Sequence, residues 1–169
     1  MHFDLSEAAA VAWAGNLARF DLYGSIHKAL RLRMSELLVA TGRLNCTDDS
    51  EVSTLCNELA RFLDFCISHL EHENAFIHPA LEARASSSSR RIAEEHGDHE
   101  RDISTLRRCL RALETASTGD RPALARSLYQ TLALFMAHNL HHMYIEETDH
   151  NRTLWQHYSD EELAGIHAE

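Results

Sequence analysis

The stretch LARFLDFCISHLEHENAFIHPAL, from Leu59 to Leu81, constrains this chain more than any other. Val52, Leu55, Leu59, Phe62, Cys66, His69, Glu73, Phe76 and Ala80 follow one another at steps of three and four, the spacing that places side chains on one face of an α-helix. That face is apolar except for His69 and Glu73, so a surface built for a core carries an imidazole and a carboxylate. Taking an isolated carboxylate out of water costs on the order of several kcal/mol. Glu73 must therefore be protonated, paired with a cation or bound to a metal ion.

The same face occurs twice. His69 and Glu73 return as His142 and Glu146, 73 residues on, and the same offset carries Leu55 to Leu128, Leu59 to Leu132, Phe62 to Phe135 and Leu81 to Leu154. One two-helix hairpin used twice predicts an all-α fold, a pseudo-symmetric up-down-up-down four-helix bundle with short additional N- and C-terminal helices. With only 2 Pro and 6 Gly, little interrupts long helices. The length of 169 residues suits one domain with its own core, spanning 1–169, with the bundle at about 21–154.

Taken in order, Asp4 and Glu7 form a potential capping box for a helix over 6–14. From about Phe20 the stripe Phe20, Tyr23, His27, Leu30, Met34, Leu37 and Thr41 marks helix A, whose first turn Gly24 weakens so that its start moves towards Ser25, with Gly42 as a stop. Asn45 to Ser50 is a turn whose last members can cap helix B from about Glu51, which Pro79 should kink or end. After the serine run at 86–89, helix C carries Ile92, His96, His99, Ile103, Leu106, Leu110 and Leu113. Asp120 and Pro122 open helix D, which runs to about His150 and bears Leu128, Leu132, Phe135, His142 and Glu146. A tail with Trp155 and the sequence YSDEEL reads as an aromatic plug and a short capped helix.

Charge and cysteine usage exclude several functions. With 16 basic and 26 acidic residues the net charge is -10, and no basic block tracks phosphates, so nucleic acid is not an expected partner. Four cysteines without a C-x-x-C pair, one of them on the apolar stripe, read as free thiols. The first residues contain a short small-residue run without a basic leader, and the expectation is a cytoplasmic protein with no membrane association. No H-E-x-x-H, G-x-S-x-G or phosphate-cradling glycine loop is present.

Histidine is the outlying count, at 13. The inward polar groups are His27 on helix A, His69 and Glu73 on B, His96 or His99 on C, and His142 and Glu146 on D. Residues four apart lie about one turn apart on the same face, so each His-x-x-x-Glu offers an imidazole and a carboxylate to adjacent positions. Two facing pairs, with single histidines from A and C, would form a two-metal cage bridged by Glu73 and Glu146. Imidazole and carboxylate without thiolate suit iron or manganese, and admit zinc. Pro122 to His142 and His96 to Ala116 span equal lengths of helix, which favours His96. The repeat favours His99, because His27 precedes His69 by 42 residues and His99 precedes His142 by 43.

This pattern resembles the hemerythrin-like, HHE cation-binding family, with a lone His, His-x-x-x-Glu, a lone His and His-x-x-x-Glu on four helices. The residues that carry the likeness are IHKAL around His27, HLEHENAFIHPAL from His69, EEHGDHE around His96 and His99, and HMYIEE from His142. The resemblance implies a non-heme di-iron site that binds or senses oxygen or nitric oxide. With two carboxylates and mostly neutral imidazoles, the donor set neutralises less cationic charge than a four-carboxylate ferritin-like site. That favours reversible binding or sensing over oxidation of strong bonds. Two rival readings are a di-iron oxidoreductase or iron-handling and repair protein, and a metal-free helical interaction module. A signalling output would require a protein partner or a second copy of the chain.

Outside that set, His72, His141, His150 and His157 read as surface residues, His78 as local packing beside Pro79, and His138 as a support one turn before His142. Tyr23, one turn before His27, reads as core with a hydroxyl able to bond a group at the site.

Overall fold

A computed structural model describes residues 19–168 of the chain. The helix expected over 6–14 lies outside the described residues. Among those described there are helices and no strand. Helix α1 is Gly24–Arg43, and α2, Asp49–His72, runs through a π-turn at Glu73–Ile77 into α3, His78–Arg84. After α4, Arg90–Thr115, helix α5, Arg121–Ile145, runs through a second π-turn at Glu146–His150 into α6, Asn151–His157, and α7 is Asp160–Ala168. None of the described helices is long and apolar enough to cross a membrane.

Side-chain caps explain the helix starts. Asp48 accepts the backbone N–H groups of Ser50 and Glu51 at 2.9 and 3.1 Å, satisfying donors that α2 cannot bond internally. Asp21 does the same for Tyr23 and Gly24, both at 3.0 Å. A Cβ at position 24 would meet Asp21 Oδ2 at 2.2 Å, so a larger residue there would displace the capping carboxylate, and α1 starts on this glycine. Ser159 and Glu162 exchange backbone-to-side-chain bonds at 2.8 and 3.2 Å, the reciprocal capping box that starts α7.

The chain divides into two compact units. One comprises Arg33–Leu70 and His96–Asn139. Its apolar stripes are buried as the periodicity predicts, with Leu37, Leu59, Leu63, Leu106, Leu113, Leu128 and Leu132 all at 0% exposure. Each such side chain contributes about 1.5–3 kcal/mol through burial. Arg121, at the start of α5, is 8% exposed, and its guanidinium donates to Asp49 at 2.6 Å and to the Cys46 carbonyl at 3.3 Å.

All four cysteines are free, and two of them, Cys56 and Cys66, are buried in this unit. Burial pushes the Cys56 thiol up to about 11 and Cys66 higher still. Since the thiolate is the reactive form, an aromatic disulfide reagent at pH 8 should titrate Cys46 and Cys109 rapidly in the folded protein and all four thiols in denaturant. Four fast thiols without denaturant would contradict the burial.

Among the described residues, the other unit takes in 19–32, Glu71–Glu95 and 140–168. Leu22, Tyr23, Ile77, Leu81, Leu154 and Leu163 form its core, edged by Phe20, Trp155, Tyr158 and Ile166. Polar contacts close this core. The Trp155 indole N–H donates to the Phe20 carbonyl at 2.8 Å, the Tyr158 hydroxyl to the Ala80 carbonyl at 2.7 Å, and Arg19 reaches Asp160 and the carbonyls of Trp155 and Tyr158 at 2.6–2.8 Å. The aromatic tail is thus a plug, as its composition predicts.

The π-turns correct two expectations. Pro79 does not end its helix; it occupies the first turn of α3, directly after the π-turn, and α3 continues to Arg84. At that position the missing N–H and the fixed φ of proline are tolerated. An α-helical stripe also places Phe76 and Ala80 inward, yet both are only partly buried, whereas Ile77, His78 and Leu81 are buried. A π-turn bonds residue i to i+5 and holds one more residue per turn than an α-turn. The inward face is therefore delayed by one position after Glu73.

Candidate metal centre

Four of the expected site residues come together within the unit that contains both π-turns. Glu73 and Glu146 are 1% and 0% exposed, His27 and His142 0% and 3%. Glu73, His142 and Glu146 present donor atoms within 4.8 Å of one another. His27 Nε2 stands 3.4 Å from Glu146 Oε2 and 3.8 Å from Glu73 Oε1, and His142 Nε2 stands 3.3 Å from Glu146 Oε1. Glu146 thus faces an imidazole with each oxygen.

These separations bear on what the site can hold. They exceed the 2.7–3.2 Å of a good N–H···O bond. Two donors at about 2.1 Å from one first-row cation, subtending 90–120°, are roughly 3.0–3.6 Å apart. The imidazoles and carboxylates present therefore fit a shared metal ion, and they include no thiolate.

The outer ring nitrogens complete the arrangement in matched fashion. His27 Nδ1 lies 3.1 Å from Glu147 Oε1, and Arg31 holds that carboxylate through two bonds of 2.5 and 3.0 Å. His142 Nδ1 lies 3.1 Å from Glu95 Oε2, and Arg91 holds Glu95 at 3.0 Å. An ionised carboxylate can only accept, so each imidazole donates from Nδ1 and turns Nε2 toward the buried carboxylates. This carboxylate–imidazole pairing is the support that orients ligating histidines.

Charge follows from the geometry. Burial works against an imidazolium at His27, but the Glu147 hydrogen bond and the nearby Glu73 and Glu146 carboxylates outweigh it and raise the group to about 9. A metal ion would take the place of that proton, since ligands bind deprotonated. Burial opposes ionisation of Glu147 and Glu95 as well, yet both are held below the usual carboxylate value, Glu147 by His27 and Arg31 and Glu95 by His142 and Arg91.

The remaining expected residues occupy the other unit. His69 is partly buried in the last turn of α2, four residues before Glu73. His96 and His99 are both buried on α4, at 2% and 3% exposure. The His99 ring stands edge-on to Phe135, 6.2 Å between centroids, and His96 follows Glu95 directly in the chain.

Sequence reasoning missed or misplaced several neighbours. His150 is 3% exposed, not a surface residue, and its Nδ1 is bonded to the hydroxyl of fully buried Tyr23 at 3.2 Å. Tyr23 so uses its hydroxyl on His150, while its ring lies 5.3 Å from that of His27. His138 does not support the site: it is half-exposed and faces Asp102 at 3.1 Å. Glu147 and Arg31 carried a usable signal, since one adjoins Glu146 and the other lies one turn beyond His27.

A helical fold, without strands among the described residues, whose buried carboxylates face oriented imidazoles is that of a cation-binding helical protein. The chain belongs to the hemerythrin family: the hemerythrin HHE cation binding domain matches residues 20–151, and the helical bundle expected from the repeat is the family's fold. No curated protein matches the chain.

Proposed function

We propose that this chain, as one hemerythrin-like domain, is a cytoplasmic non-heme di-iron protein that reversibly binds or senses a diatomic ligand, oxygen or nitric oxide. The observation that carries this reading is Glu146, fully buried with each carboxylate oxygen facing a different imidazole. His27, His69, Glu73, His96, His142 and Glu146 would hold the two ions, with Glu73 and Glu146 shared between them. Iron in such a set supplies a redox-active cation with affinity for small diatomic molecules. The protein's part is to fix the imidazoles through Glu147 and Glu95, and to keep bulk water from carboxylates that are 0–1% exposed. Imidazole and carboxylate also accept manganese or zinc, so metal identity is part of the test.

Of the two helix α4 candidates, His96 is assigned as the ligand, because it adjoins Glu95, the carboxylate that orients His142. His99 is assigned to packing against Phe135. His96→Ala should lower bound iron at least tenfold at limiting metal, whereas His99→Leu should leave iron content unchanged. The reverse pattern would exchange the two roles.

The function itself is tested by anaerobic reconstitution with Fe(II), metal analysis, and optical spectra before and after oxygen or nitric oxide. Near two irons per chain and a spectral change reversed by removing the gas are expected. Absence of metal, unchanged by His69→Ala or His142→Ala, would leave a metal-free helical module. Consumption of oxygen or peroxide in repeated turnover would replace binding by catalysis.

A further inference from the structure

A second group of metal-ligand type lies beside the centre. His78, Glu146 and His150 are 6%, 0% and 3% exposed, and each offers a donor atom within 4.8 Å of the others. Neither imidazole belongs to the di-iron set proposed above. Two imidazoles with one carboxylate form a donor set suited to divalent first-row cations.

The backbone explains how these side chains meet. In α-helical winding, position i+5 lies about 140° around the axis from i, at about 100° per residue. The π-turn that begins at Glu73 is closed by the His78 N–H bonding the Glu73 carbonyl, which turns His78 inward. Glu146 and His150 are the first and last residues of the second π-turn. The two rings stand perpendicular with centroids 6.0 Å apart, as two ligands approaching one point from different helices would. Tyr23, without exposed surface, fixes the His150 ring through its 3.2 Å bond to Nδ1, the type of outer contact that orients a ligating histidine.

We propose that His78, Glu146 and His150 form an additional cation position for a divalent first-row metal, sharing Glu146 with the di-metal centre. The assignment does not depend on how that centre is occupied or what it does.

The test is anaerobic Co(II) titration of chelator-stripped protein, followed by metal analysis after dialysis and by visible absorption of the bound ion. Wild type should bind one more Co(II) per chain than either His78→Ala or His150→Ala, with far-ultraviolet circular dichroism unchanged. The double variant His27→Ala/His142→Ala should keep one Co(II), and adding His150→Ala should remove it. Equal stoichiometry in wild type, His78→Ala and His150→Ala would overturn the proposal. As a check that needs no variant, anomalous scattering from Co(II)-soaked wild-type crystals should show a peak between His78 and His150; a peak only at His27 and His142 would also overturn it. Failure of the di-iron reading has a different signature, in which His69→Ala and His142→Ala leave the metal count unchanged.

Discussion

Glu146→Gln is expected to abolish metal binding at the candidate centre and leave the metal-free protein no less stable. The carboxylate is fully buried and faces His27 with one oxygen and His142 with the other, at 3.4 and 3.3 Å. Glutamine keeps the size and removes the charge. Without a cation, Glu73 and Glu146 are two buried carboxylates beside the His27 imidazolium. Neutralising one relieves like-charge repulsion, and the His27 imidazolium keeps Glu73 and Glu147 beside it. With a cation present the comparison reverses. Free metal at 100 times its dissociation constant stabilises a protein by about 2.7 kcal/mol, roughly 5–10 °C in melting temperature for a chain of this size. Wild type should show that rise on adding Fe(II) anaerobically, and Glu146→Gln should show none. Wild-type metal content in the variant would remove Glu146 from the site.

Phe135→Ala should be the most damaging single change outside the centre. Phe135 is 1% exposed, lies on the α5 face with Leu128 and Leu132, both at 0%, and receives the edge of His99. Removing a buried aromatic ring costs about 3–5 kcal/mol, through lost transfer energy and the cavity that remains. A domain is typically stable by about 5–15 kcal/mol, so the variant should lose a large fraction of its stability. Urea unfolding of the chelated protein measures this without interference from bound metal. A loss below about 1 kcal/mol would mean that the surrounding side chains collapse into the space.

The sequence alone showed the stripes and their recurrence, because burial enforces helical spacing wherever the winding is α. Leu59, Leu128, Leu132 and Phe135 are buried where the periodicity puts them. The contact of His142 with Glu146, four residues apart, was equally legible, since it depends only on the α-helical turn that precedes the carboxylate. Beyond Glu73 the rule changed. Ile77 and His78 took the inward face that α-winding assigns to Phe76, and no residue type announces a π-turn. The outer carboxylates were hidden for another reason. Glu95 lies on α4 and supports His142 on α5, and Glu147 supports His27 on α1. Such partners depend on which helices are neighbours, which periodicity does not encode. An ion pair of carboxylate and side-chain cation exists one position beyond Glu146, where Arg31 takes Glu147.

Both π-turns begin on a glutamate of the centre, at Glu73 and Glu146, 73 residues apart. Each therefore contains one residue that the span of the helix does not need. Deleting a residue from 74–76 would let the backbone relax to ordinary α-winding without breaking the rod, and the segment from His78 onward would keep its facing, because four residues at about 100° each turn about as far as the five of a π-turn. Leu81, 1% exposed, would then stay in the core it shares with Tyr23 and Leu154. Each π-turn is thus a local widening that presents both the carboxylate that opens it and the residues at its close, while the far end of the rod keeps the register of an uninterrupted helix one residue shorter.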